Sequence, residues 1–275
     1  VPMEELIAEA KTMAEQGVKE LVLVAQETTI YGIDLYGKPS LHLLLKELCK
    51  IQELYWIRIL YCYPEEIYPE LVQTMKEEPK VCHYLDLPIQ HANDEILRRM
   101  GRRTSKQELI DKIDFLRSEM PDITLRTTLI TGFPGETKEQ HKELLEFIND
   151  MEFDRLGVFT YSPEEGTPAA KMLNRVDTEE AQRRAELVME IQTQVMDEFN
   201  DSRMGDTVEV LCDGYDVQAM SYVGRSYAES PGIDGCIFFT AERDVEPGDF
   251  VMVRITGAMD GDLTGEAVEE LSEEE

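Results

Sequence analysis

One stretch, I-T-L-R-T-T-L-I-T-G-F-P-G-E-T from Ile123 to Thr137, narrows the possible folds of this chain more than any other. Its apolar, β-branched half predicts a strand. Gly132-Phe133-Pro134-Gly135 predicts a tight turn, and Thr137 opens an amphipathic helix. A strand that passes through a short loop into a helix N-terminus is how an α/β barrel presents a ligand site. Gly132 and Gly135 admit close backbone approach without a Cβ, and Pro134 stiffens the loop. Thr137 with Gln140 three residues on forms a capping box. An ordinary strand-to-helix connection uses the same residues, so the segment defines local structure before it defines a function.

The same alternation runs from the start of the chain to Tyr161. Leu6, Ala10, Met13 and Ala14 share one helical face that ends at Gly17. Strands are predicted at Glu20–Ala25, Trp56–Cys62, His83–Pro88, Ile123–Thr131 and Phe153–Tyr161. Ser40 caps a helix whose buried stripe is Leu41, Leu44, Leu45 and Leu48, and further helices are predicted near Tyr68–Lys76, Ser105–Glu119 and Lys138–Met151. Strands alternating with helices imply a parallel sheet with right-handed crossovers, and continuous apolar runs imply strands covered on both faces. Glu164 to Asp177 reads as a loop. Asp177 and Glu180 then open a long helix with Val188, Ile191, Val195 and Phe199 on one stripe. After Gly205 the texture changes to short strands punctuated by Asp213-Gly214, Pro231-Gly232, Asp234-Gly235 and Pro247-Gly248, which predicts a small antiparallel barrel. Two domains follow, 1–203 and 204–275, with a frayed acidic tail from Glu266 onward.

The charge balance is 27 basic against 57 acidic residues, a formal net charge of -30. Such a surface repels a phosphate backbone, which argues against direct nucleic-acid binding. From Met204 to Glu275 there are 18 Asp or Glu against three arginines, Arg225, Arg243 and Arg254. A solvated acidic face accounts for this, and it also suits a basic protein partner. No apolar run reaches membrane-spanning length and no signal peptide is visible, so no membrane partner is expected. Five widely spaced cysteines form neither a disulfide framework nor a metal cluster, so no metal ligand is assigned, and a reducing, cytoplasmic setting follows.

Ligands of parallel barrels bind at the carboxyl ends of the strands. Polar groups gather there: Gln26-Glu27-Thr28-Thr29 after the first predicted strand, Gln90-His91-Ala92-Asn93-Asp94 after the third, and Tyr161 to Thr167 after the fifth. Arg126, inside an apolar strand, needs a carboxylate or similar partner: a ligand, or Glu27 or Asp86 as structural glue. His91 is the histidine best placed for chemistry, yet bonding within its own loop is the simpler account of it. No nucleophile elbow, P-loop, paired-carboxylate motif or H-E-x-x-H occurs, so a hydrolase is poorly supported. An aldolase-like or hydrolytic barrel needs eight βα units and a lysine or metal at the rim.

Several longer motifs resemble the radical S-adenosylmethionine methylthiotransferases, most closely the branch that modifies an aspartate of a small-subunit ribosomal protein. They are L-V-A-Q-E-T-T-I-Y-G-I-D-L-Y-G (Leu23 to Gly37), L-P-I-Q-H-A-N-D-E-I-L-R-R-M-G-R (Leu87 to Arg102), T-L-I-T-G-F-P-G-E-T (Thr128 to Thr137), Y-S-P-E-E-G-T-P-A-A (Tyr161 to Ala170) and G-R-S-Y-A-E-S-P-G-I-D-G (Gly224 to Gly235). The resemblance implies a partial (β/α) TIM-like barrel of the radical SAM type, with its first strand missing, followed by a TRAM domain, an OB-like barrel. It implies S-adenosylmethionine and 4Fe–4S clusters as cofactors, with reduction of the former to a 5′-deoxyadenosyl radical that takes hydrogen from an aspartate Cβ. Gln26 and Glu27 fall where related enzymes receive the methionine amino group. Gln90 and Arg126 fall near its carboxylate and the ribose, Gly132 lines the adenine, and Phe159 and Tyr161 close the last strand. The loop departs from the superfamily's G-x-I-x-G-x-x-E spacing, so Glu136 receives no ligand role. No catalytic residue is assigned.

The family carries its cluster on a C-x-x-x-C-x-x-C loop, a spacing that does not occur in this sequence. The cluster ligands are therefore expected upstream of Val1, and the chain alone is expected to be an inactive part of a longer enzyme. An uncovered edge at Glu20–Ala25 favours self-association. The expected partners are a basic ribosomal protein or assembled ribosomal subunit and an electron donor. The alternatives are a transfer-RNA methylthiotransferase, which should carry a basic TRAM surface, and a non-catalytic binding fragment.

Overall fold

The computed structural model describes residues 1–259 and 261–268. Five strands, β1 (Glu20–Leu23), β2 (Trp56–Ile59), β3 (Val81–Asp86), β4 (Thr124–Thr131) and β5 (Arg155–Thr160), form one sheet in sequence order. Every neighbouring pair is parallel. The connections carry helices α1 (Met3–Glu15), which precedes β1, then α2 (Ile33–Tyr36), α3 (Leu41–Leu48), α4 (Pro69–Glu77), α5 (Asp94–Arg99), α6 (Lys106–Glu119) and α7 (Lys138–Met151). The long α8 (Thr178–Ser202) leaves the sheet for the second domain. Of these, α2 and α5 have no counterpart in the sequence expectations.

Local chemistry explains the helix starts. Thr137 and Gln140 make the expected capping box of α7, and Ser105 with Glu108 makes a second one on α6. Asn93 caps α5 and Asp177 caps α8. Alternation along the strands sorts residues by face. Odd positions such as Ile57, Ile59, Leu85, Leu125 and Leu129 join the leucine stripes of α3, α6 and α7 in the main core. Even positions face the other way, and there Trp56, Leu60, Cys82 and Tyr84 meet Leu211, Tyr227 and Phe250 of the second domain. Both faces are covered, as the apolar runs imply, but by helices on one side and a separate domain on the other. β1 pairs with β2 alone among the described residues.

The second domain is a closed barrel of β6 (Thr207–Asp216), β7 (Ser221–Arg225), β8 (Ile237–Thr240), β9 (Phe250–Met259) and β10 (Asp262–Ala267), ordered β10-β8-β7-β6-β9. Its core is apolar, built on Val210, Ile237, Phe239, Val253 and Leu263. The expected all-antiparallel pairing holds except between β8 and β10, which run parallel. Glu266 and Ala267, expected to open a frayed tail, pair in β10 with Arg254 and Val253. The tail from 269 to 275 lies outside the described residues.

The segment joining β7 to β8 leaves the small barrel and lies against the inner face of the sheet. Arg58, fully buried on β2, donates to Glu20 at 2.7 Å and to the Tyr227 carbonyl. Arg225 bridges Glu20 and Asp213, each at 2.7–2.8 Å. Arg155 at the start of β5 reaches Glu229 at 2.9 Å, and Glu229 also accepts from the Ser226 N–H and hydroxyl. Burial opposes the charge on Glu229, but Arg155, Arg203 and Ser226 hold its carboxyl below the usual range. Every such charge finds its opposite, which is the condition for burying it.

Candidate functional site

A cavity of about 750 Å³ opens at the carboxyl ends of β1 to β5, within the range of small-molecule sites. Gln26, Gln90, Arg126, Phe159 and Tyr161, all expected from the sequence, line it together. Tyr61, Tyr63, Asp86, Thr128 and Ile130 complete the sheet side, Thr167 and Ala169 come from the loop after β5, and Ile233 comes from the small barrel.

Two carboxylates brace the turn after β2 that carries Tyr61 and Tyr63. Glu27 accepts from the Thr29 N–H at 2.9 Å and the Tyr63 N–H at 3.0 Å. Burial raises its pKa, against the pull of those donors. Asp86 accepts from the Tyr61 N–H at 3.2 Å and from Arg126 Nη1 at 2.8 Å. Between them they hold Tyr61 at a φ of 58° and leave its ring half exposed over the cavity. Gln90 has a φ of 69°, also left-handed, while its N–H and C=O bond Thr128 and Ile130 of β4. Two non-glycine residues in this region at adjacent strand tips mark stored strain at the cavity mouth.

Arg126 sits between two carboxylates: Asp86, and Asp234 of the small barrel, 3.5 Å from its Nε. Burial disfavours its charge, but Asp86, Tyr84 and Asp234 outweigh that and raise its pKa. Both structural partners and the cavity therefore claim this one side chain. Its neighbour Gly157 on β5 leaves space beside Nη2, where an added Cβ would stand 3.5 Å away. Phe159 is 64% exposed, an apolar ring with nothing over it. Tyr161 packs edge-on against Phe133, and its buried hydroxyl has no hydrogen-bond partner among the described residues.

Two expected residues lie elsewhere. Glu27 borders a separate, mostly apolar groove of about 430 Å³ between α1, β1 and α3. Gly132 faces helix α8, where an added Cβ would meet Ala181 Cβ at 2.4 Å, so its small size serves helix–strand packing. Its N–H donates to Glu136, which is also 3.1 Å from Arg184 and 3.4 Å from His91 and His141. His91 Nδ1 accepts from the N–H groups of Ala92 and Asn93 at 3.0 and 2.9 Å, so its ring shapes its own loop. The sequence pattern offered no sign of Tyr61 or Ile233, whereas Asp86 was expected there as a structural partner of Arg126. A signal for the inner face was present in Arg58, an arginine within W-I-R-I-L.

An α/β scaffold with an open parallel sheet, a polar and aromatic cavity at the strand tips and a small barrel against its inner face defines the class. The chain belongs to the radical SAM superfamily, whose profile matches residues 1–148, and a TRAM domain profile matches residues 204–268. It is 53% identical, over 97% of its length and 61% of the relative's, to a protein of Lachnoclostridium phytofermentans named ribosomal protein uS12 methylthiotransferase RimO. It is 49% identical, over 96% of its length and 58% of the relative's, to the protein of the same name in Clostridium perfringens. The chain thus spans about three fifths of the length of these relatives. The fold matches coproporphyrinogen III oxidase (HemN) of Escherichia coli with a TM-score of 0.56 at 15% identity, over 82% of this chain and 58% of that one.

The superfamily's cofactors are S-adenosylmethionine and an iron–sulfur cluster. The cavity fits the first, with exposed aromatic rings for a purine, amide and guanidinium donors, and carboxylate acceptors. The residues of this chain do not fit the second, which is held by thiolates. Among the described residues no group of His, Cys, Asp or Glu can hold a metal ion. Burial also pushes the thiols of Cys49, Cys82 and Cys236 up to about 12 and raises those of Cys62 and Cys212. No helix among the described residues is long and apolar enough to cross a membrane.

Proposed function

We propose that this chain is the adenosylmethionine-binding and substrate-facing part of a methylthiotransferase acting on ribosomal protein uS12. The observation that carries the reading is a ligand-sized cavity at the strand tips of a radical SAM chain whose relatives bear that name over 96–97% of its length. In this reading the target is the β-carbon of an aspartate, the setting is cytoplasmic, and an electron donor and a cluster-bearing segment are needed beside this chain, which alone is inactive.

When bound, S-adenosylmethionine would supply the adenosyl group for hydrogen abstraction from the substrate, with the electron coming from outside this chain. The chain's own residues do the rest. Phe159 and Tyr61 offer ring faces to the purine and exclude water from it. Arg126 is already matched by two carboxylates, so its remaining N–H groups suit neutral ribose oxygens better than a further anion. Gln90 and Gln26 offer amides to the methionine end, and Tyr161 stiffens the last strand tip. Gly132 and Glu27 act one layer out, through helix packing and the turn that carries Tyr63.

The small barrel favours a protein substrate over tRNA. Arg225 is locked in buried ion pairs, which leaves Arg243 and Arg254 as the exposed arginines among its described residues. A surface so acidic attracts a basic polypeptide and repels phosphates. The test is mass spectrometry of uS12 after anaerobic, reducing incubation with this chain, alone or joined to a cluster-binding segment. A methylthio increment on one aspartate with the joined protein only is the expected result. Transfer to tRNA, or no transfer by the joined protein, overturns the reading.

A further inference from the structure

The five strands do not close a barrel, so side chains from their own strands cannot fill its interior as they do in a complete one. The segment between β7 and β8 fills that space. Ser226, Ala228, Glu229 and Ser230 are all buried, and their neighbourhood is tied to β1 through Arg225–Glu20, to β2 through Arg58 and to β5 through Arg155. The last turn of this segment goes further. Asp234 accepts from the Tyr84 hydroxyl at 2.6 Å and the Ser230 N–H at 2.9 Å, and presents its other oxygen to Arg126. Ile233 beside it forms part of the cavity lining and remains 49% exposed.

We infer that the small barrel is a working part of the cofactor site: Ile233 forms its floor, and Asp234 is a positioning residue that sets the Arg126 guanidinium. This rests on reading the cavity as the S-adenosylmethionine site, and adds a role for the second domain that substrate attraction does not require. Asp86 alone leaves Arg126 free to swing about one ion pair. A second carboxylate on the Nε side fixes the plane of the fork, which determines where its free N–H groups point. Because the same segment is held by buried pairs to several strands of the sheet, occupancy of the cavity and docking of the small barrel stabilise one another.

The experiment measures binding of S-adenosylmethionine to the whole chain by calorimetry, with thermal unfolding of each variant alongside. Ile233→Trp pushes an indole into open cavity space. It is expected to weaken binding at least tenfold with the melting temperature little changed, while Ile233→Val binds as the unsubstituted chain. Asp234→Asn keeps the bonds from Tyr84 and Ser230 but removes the charge facing Arg126. It is expected to weaken binding severalfold, and Asp234→Glu is expected to restore part of the loss. Should either substitution impair folding, hydrogen exchange of the unsubstituted chain decides: amides in 226–235 slow when the ligand is added.

Tight binding by Ile233→Trp, or loop amides indifferent to ligand, overturns the inference and leaves the cofactor reading standing. An unsubstituted chain that binds no S-adenosylmethionine overturns both.

Discussion

The Tyr84 phenol on β3 donates to the Asp234 carboxylate at 2.6 Å, joining residues 150 positions apart and in different domains. Tyr84 has no exposed surface, and burial together with the Asp234 charge raises its pKa, so it remains a neutral donor. Tyr84→Phe removes the donor and nothing else. Loss of a buried hydrogen bond to a charged acceptor should cost about 2 kcal/mol and lower the melting temperature by several degrees. A variant that melts with the parent chain would show that the two domains are not docked in this way in solution.

Arg58 holds the domain boundary from the other side. Its guanidinium is fully buried and serves Glu20, the Tyr227 carbonyl and the Ser226 carbonyl. Arg58→Met strands the two carbonyls and leaves Glu20 with Arg225 alone, with an expected cost of about 3 kcal/mol or more in urea unfolding. Arg58→Lys should recover little of it, because a single ammonium cannot reach three acceptors set around a planar fork. Full rescue by lysine would mean that charge alone, and not geometry, secures the contact.

Gly132 separates a packing role from a ligand role. With a φ of 72° and Ala181 Cβ 2.4 Å from where a Cβ would stand, Gly132→Ala meets both backbone strain and a clash with α8. The expected cost is about 3 kcal/mol, of which about 1 is the left-handed backbone. Adding Ala181→Gly should return the steric share and leave the rest, which a double-mutant cycle in denaturant measures. Strict additivity of the two changes would place the clash elsewhere.

What was legible in the sequence was what local pattern encodes. The five strands, the Thr137–Gln140 capping box and the polar strand tips follow from periodicity and turn chemistry over a few residues. Asp86 was foreseeable as a partner for Arg126, since an arginine in an apolar strand looks to its neighbours. Asp234 was not, because nothing within a hundred positions of Arg126 announces it. Glu27 and Gly132 carry ligand-site chemistry in their motifs. Whether a carboxylate faces a cavity or braces a turn depends on the direction of two torsions, which spacing does not encode. The same limit hid Ile233, an ordinary apolar residue after Pro-Gly until its loop is seen beneath the cavity.

Gln90 sets function against stability. Its φ of 69° costs about 1 kcal/mol in a residue with a side chain, while its backbone bonds to Thr128 and Ile130 do not depend on that side chain. Gln90→Gly should therefore unfold at a slightly higher denaturant concentration and bind S-adenosylmethionine more weakly. Gain in stability with binding intact would remove Gln90 from the site. Loss of stability would show that its side chain, not the strain, matters to the fold.

Glu136 makes the fold acid-sensitive in a defined window. Burial alone would raise its pKa, but His141, His91 and the Gly132 N–H hold it down to about 2, against an ordinary value of 4.5. A carboxyl with a depressed folded-state pKa stabilises fully above its unfolded value and loses that contribution as pH falls toward the folded one. The total is roughly 3 kcal/mol, since every tenfold change in proton affinity between the folded and unfolded chain is worth about 1.4 kcal/mol. About 2 kcal/mol of this should vanish between pH 7 and pH 3. Comparison with Glu136→Gln isolates the effect, because Glu229 and other carboxylates titrate alike in both proteins. Urea midpoints of the pair should lie well apart at pH 7 and draw together by pH 3. A gap of equal size at both pH values would mean that Glu136 contributes by shape and hydrogen bonding, and that its ionisation is not coupled to folding.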